Sequence, residues 1–197
     1  MSRQLSIVLV AVLALCPAAS AQSITDTNAS YTGPFAGAQI QSEMAQSFEI
    51  SVTGFLNGID AYVPTNSGPS CEFTWYLRNG ASLDPQNPDI SALPMLASGT
   101  GMSDTPAQVY QAAPSVLLTG ANLPVTAGDV LVLHIVRDCN FLWIAGAGLL
   151  PGDRYQYDGV NWTQSSVINL EFGRTIYVTQ TTAVDEVSWG LMKVHYR

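Results

Sequence analysis

The chain is poor in charge, and in basic side chains above all. Of its 197 residues only 11% are charged, with seven Lys or Arg against fifteen Asp or Glu. Lys193 is the single lysine. Nucleic-acid binding needs clustered basic groups that displace phosphate counterions, so that function class is excluded. Histidine is scarce as well, His134 and His195 being the two in the chain. There is no G-x-S-x-G nucleophile elbow, no H-E-x-x-H or C-x-x-C pair, and no glycine-rich phosphate loop after a strand. His134 stands among Val130, Val132 and Val136 and reads as a satisfied core residue, while His195 near the terminus reads as solvated. No catalytic residue is assigned.

Hydrophobic residues are plentiful, at 47%, too many for a disordered acidic tail. Residues 1–21 show a basic start (Arg3), an apolar run from Ile7 to Leu15, and small residues ending Ala19-Ser20-Ala21. That order is expected of a secretory signal peptide cleaved before Gln22, and it places the mature protein outside the cell, the periplasm and outer surface staying open. The run is shorter than the roughly 20 apolar residues a span requires, and no other stretch is long enough, so a membrane-spanning chain is not expected. Residues 22–197 then form one domain, with its core over about 40–180 and a C-terminal strand or helix over 185–196.

Period-2 alternation runs through most of this domain. Phe48, Ile50 and Val52 alternate with Ser47, Glu49 and Ser51; Phe73, Trp75 and Leu77 alternate with Glu72, Thr74, Tyr76 and Arg78. Ile59, Ala61 and Val63 repeat the pattern, as do Leu170, Phe172, Ile176 and Val178. One apolar and one polar face per strand is the mark of antiparallel sheets. Val130 to Val136 is apolar almost throughout, which predicts a central strand covered on both faces. Turn-forming runs such as Asn66-Ser67-Gly68-Pro69 and Ala127-Gly128-Asp129 separate these segments. The expected fold is all-β, an antiparallel two-sheet sandwich or a barrel, and the resemblance given below implies the jelly-roll type of sandwich. Residues 80–114 are the least patterned and are expected to hold an edge strand over Leu96 to Met102.

Loss of Cys16 with the leader leaves Cys71 and Cys139 in an oxidising compartment, where one disulfide is expected between them. Both continue the apolar parity of their strands, one opening its strand and the other closing its strand, ends that antiparallel neighbours bring together. Closing that loop contributes on the order of 4 kcal/mol in the chain-entropy picture.

The order Ala45-Gln46-Ser47-Phe48, then Gly58-Ile59-Asp60-Ala61-Tyr62-Val63, then Phe73-Thr74-Trp75-Tyr76-Leu77 resembles a group of bacterial secreted β-sandwich modules. The Ala127-Gly128 turn before a long apolar strand, the Tyr-rich segment 155–162 and the strand at Leu170 to Phe172 extend the resemblance over about residues 44–179. The resemblance implies a jelly roll of carbohydrate-binding kind.

Three rings, Tyr155, Tyr157 and Trp162, crowd into eight residues with Asp158 and Asn161. Rings stack on the apolar faces of sugars and carboxylates or amides hold their hydroxyls, so these five residues are the candidate ligand-binding set, against a reading in which the rings cap the sandwich. The expected function is non-catalytic binding of a polysaccharide or another cell-surface component. A structural or adhesive protein contacting other proteins is the first alternative. A glycan-cleaving enzyme is the second, because Glu49, Glu72 and Glu171 fall on polar strand faces and paired carboxylates suffice for that reaction. No cofactor is implied. Ca2+ stays open at the oxygen-rich runs Asp84 to Asp89 and Asp153 to Asp158, where turn chemistry is the competing account.

Overall fold

Among the residues described by a computed structural model, the chain forms twelve β-strands and one short 3₁₀ turn. It describes residues 23–27, 42–65, 68–105, 113–136, 143, 145–147, 152–164 and 170–180, with the backbone alone at 23–27, 145–147 and 170–171. The expected leader and the C-terminal element over 185–196 lie outside the described residues. In chain order the strands are β1 Ser23–Thr27, β2 Glu43–Glu49, β3 Gly54–Ala61, β4 Glu72–Asn79, β5 Met95–Met102 and β6 Ser115–Val125. They continue with β7 Val130–Val136, β8 Ala145–Ala147, β9 Arg154–Tyr157, β10 Trp162–Gln164, β11 Leu170–Phe172 and β12 Arg174–Thr179. There is no α-helix among the described residues, as the alternating pattern requires.

One sheet has the order β1-β12-β3-β6 and the other β10-β9-β2-β7-β4-β5, with every pairing antiparallel; β8 and β11 pair separately. Setting aside the 143–172 insertion, the first sheet takes the first, last, third and sixth strands. The second takes the second, seventh, fourth and fifth. Apart from the β4–β5 pair, successive strands therefore cross between sheets, the double Greek key of a jelly roll. β9 and β10 form a hairpin added beside β2, beyond that eight-strand frame.

The side chains that alternation assigns inward do meet between the sheets. Phe48, Leu56, Ile59, Phe73, Trp75, Leu77, Leu133, Ile135 and Ile176 belong to one buried cluster. Trp143 joins it, stacked on Phe172 at 4.4 Å, with its indole N–H donating to Gly173 O at 3.0 Å. β7 is buried at five successive residues, as its apolar run predicts, because a second cluster covers its other face. That cluster contains Ala45, Val132, Tyr155 and Trp162 beneath Ile90 and Leu93, which the 3₁₀ turn at Ile90–Ala92 delivers. Alternation fails on β2, where Gln46 and Ser47 are buried too. Their polar groups are satisfied across the fold: Gln46 Oε1 accepts from Phe172 N at 3.0 Å, and Ser47 Oγ accepts from Asp153 N at 2.8 Å. The edge strand expected in the unpatterned 80–114 segment is β5.

Cys71 packs on the inter-sheet cluster at the mouth of β4. Cys139 lies outside the described residues, so the Cys71–Cys139 bond is a proposal. The β4–β7 ladder pairs Thr74 with Val136, three positions from each cysteine in sequence, and so is in register with that pair. A peptide map without reduction is expected to recover the two cysteines on one linked pair of peptides; recovery of Cys139 as a free thiol would overturn the assignment.

Candidate functional site

The outer face of the six-stranded sheet collects the polar chemistry. Register places Glu43 on β2 opposite Tyr157 on β9, and Ala45 opposite both His134 on β7 and Tyr155 on β9. His134 in turn lies opposite Tyr76 on β4. Ala45 leaves a shallow spot in this row, and the Trp162 indole reaches over it from β10 to meet the His134 ring edge-on at 5.1 Å. The Tyr76 ring lies 5.3 Å from His134 on the other side, and the Tyr157 ring 5.4 Å from Trp162. Four rings thus run in a row, Tyr76, His134, Trp162 and Tyr157. The Trp162 N–H donates to Ser91 Oγ at 3.3 Å, tying the row to the 3₁₀ turn above it.

Charge is concentrated at one point along that row. Arg78 Nε donates to His134 Nδ1 at 3.3 Å, which makes Nδ1 an acceptor and leaves the ring proton on Nε2. Nε2 lies 2.8 Å from Glu43 Oε2 and so donates to it. The other face of the Arg78 guanidinium is committed as well, donating to Leu93 O at 2.9 Å and Ser91 O at 3.1 Å and lying over the Tyr76 ring. Burial, with the Arg78 charge adding in the same direction, pushes His134 down to about 3, so the imidazole is neutral. Burial raises the Glu43 carboxyl above its ordinary range against the pull of Arg78. The result is a half-exposed carboxyl held by a neutral imidazole of fixed tautomer, between two rings that are only partly covered.

The five residues singled out in the sequence separate. They lie on the β9–β10 hairpin rather than in an irregular loop, since Tyr157 pairs with Trp162 and Gln164 with Tyr155. Tyr155 is fully buried, and burial beside Asp153 raises its hydroxyl to about 12, so its ring offers no face to a ligand. Trp162 is 8% exposed and Tyr157 is half-buried. Asp158 is a turn residue: its Oδ1 accepts from Val160 N and Asn161 N, both at 2.8 Å, and these bonds hold its pKa low. Asn161 is exposed in the same turn. Sequence reading missed Glu43, Tyr76 and Arg78. The signal available was their place on the polar parity of β2 and β4, but only the register shows that both strands flank His134.

The oxygen-rich runs are occupied by turn bonds, Asp84 Oδ1 accepting from Gln86 N and Asp89 Oδ1 from Ala92 N. No group of three or more metal-ligating side chains occurs among the described residues. Glu49 and Glu72 are exposed on different strands, and the Glu171 side chain lies outside the described residues. Among the described residues no helix is long and apolar enough to cross a membrane. The chain matches no protein-family model, and no curated protein shows significant sequence similarity to it.

Proposed function

We propose that the protein is a non-catalytic binding module that recognises a polysaccharide outside the cell, through the outer face of its six-stranded sheet. The observation that carries this reading is the row of Tyr76, His134, Trp162 and Tyr157 with Glu43 beside it. The half-buried Tyr76 and Tyr157 rings supply flat apolar surface for sugar C–H faces, and the oriented Glu43 carboxyl accepts from sugar hydroxyls. Buried Trp162 supports Tyr157 from behind. The leader-like residues 1–21 and the resemblance to secreted sandwich modules favour the same compartment and ligand class. Shallow sites of this kind bind weakly singly and gain by repetition along a polymer.

A glycan array probed with the mature protein is expected to show binding, weakened about tenfold by Tyr157→Ala and by Glu43→Gln. An array with no bound glycan, or binding that Tyr157→Ala leaves intact, would sink the reading.

A further inference from the structure

A cavity lies on the opposite flank of the sandwich. There the edge strands β5 and β6 of the two sheets approach each other, and both depart from regular pairing at the same end. On β5 the ladder passes from Leu77↔Ala97 to Arg78↔Met95, so Leu96 is left out of register. On β6 it passes from Gly58↔Thr119 to Leu56↔Leu123, looping out residues 120–122. Gly120 and Asn122 both hold positive φ in that loop, 66° and 50°, and Asn122 is the one non-glycine residue so placed among the described residues. Bulges of this kind bend an edge strand and recur beside binding sites. Between the two bulges a crevice of about 520 Å³ opens into the space between the sheets. That volume falls within the roughly 300–1,000 Å³ of small-molecule sites.

The lining specifies the ligand. Leu56, Leu77 and Leu131 are buried at the floor, and Leu96 and Leu123 form the walls. These are aliphatic groups with no ring for a sugar to stack on, so the crevice differs in kind from the outer face. Its exposed polar groups are Asn79 and Asp129. Asn79 Oδ1 accepts from Ala81 N, so the group it can offer a ligand is its amide N–H donor, while Asp129 accepts from Thr126 N through Oδ2 and offers a carboxylate acceptor. A donor and an acceptor together fit a hydroxyl. No lysine or arginine lines the crevice, and Asp129 repels an anion. We propose that this crevice binds the alkyl chain of an uncharged amphiphile, its hydroxyl head group lying at Asn79 and Asp129.

The probe is N-phenyl-1-naphthylamine, an uncharged dye that brightens in apolar surroundings, titrated against the mature protein. Saturable binding at one site is expected, with displacement by 1-dodecanol and displacement at least tenfold weaker by dodecanoate at neutral pH. Leu96→Gln, at a position 43% exposed and so tolerant of a polar side chain, is expected to weaken dye binding about tenfold while leaving the melting temperature and glycan binding unchanged. Leu123→Gln serves as a second variant on the facing wall. Absence of saturable dye binding, wild-type affinity in both variants, or equal displacement by the alcohol and the carboxylate would overturn the proposal.

Discussion

Lowering the pH from 7 to 4.5 is expected to remove about 2.5 kcal/mol of folding stability through His134 alone, at about 1.4 kcal/mol for each pH unit below its unfolded pKa. The fold holds His134 near 3 against an ordinary 6.5, because the ring is buried and Arg78 already donates to Nδ1. Between those values the unfolded chain takes up a proton that the folded one refuses. Stability from this residue is therefore complete above 6.5 and is lost as pH falls toward 3. Glu43 acts in the opposite sense, since its raised pKa lets the folded state accept a proton first. Urea unfolding between pH 7 and 4.5, compared for the wild type and His134→Gln, separates the two. The variant amide can still donate to Glu43 and accept from Arg78 but cannot titrate. Its stability is expected to fall far less steeply, and parallel curves for the two proteins would show that His134 charges freely in the fold.

Gly152→Ala is expected to destabilise the protein by about 3 kcal/mol and to weaken glycan binding more than tenfold. A Cβ at that position would fall inside contact distance of the Ser47 carbonyl oxygen, which belongs to the backbone of β2 and cannot swing aside. The residue after it docks the hairpin: Asp153 O accepts from Ser47 N at 2.9 Å and Asp153 N donates to Ser47 Oγ at 2.8 Å. Relief of the clash lifts the β9–β10 hairpin from β2, and Trp162 and Tyr157 leave with it. Denaturant midpoints and the array signal, read together, check this. A variant within 0.5 kcal/mol of wild type would mean that the hairpin yields without cost.

Much of the sandwich is legible in the order of residues alone. Inward residues on β3, β4 and β7 were marked by alternation or by unbroken hydrophobicity, since a strand has few ways to bury an apolar face. β2 hid its second buried face because Gln46 and Ser47 are polar, and their bonds to Phe172 and Asp153 cross 126 and 106 residues of sequence. The candidate site was half legible. Tyr157 and Trp162 stood out because they are close in sequence, whereas Glu43, Tyr76, Arg78 and His134 come from three strands that only the ladder of hydrogen bonds brings side by side. Tyr155 stands beside the ligand set in sequence alone, since its ring packs beneath the 3₁₀ turn with Ala45 and Val132.

The hairpin beside β2 stands outside the eight strands whose crossings define the jelly roll, yet it contributes two of the four rings in the row. Half of the row therefore rests on a stretch of chain outside the frame, while Tyr76, His134 and Glu43 rest on the frame itself. Exchanging residues 154–164 for another short antiparallel pair that keeps the docking at Ser47 and the buried Tyr155 and Trp162 would change the exposed end of the ring row while leaving the inter-sheet core untouched.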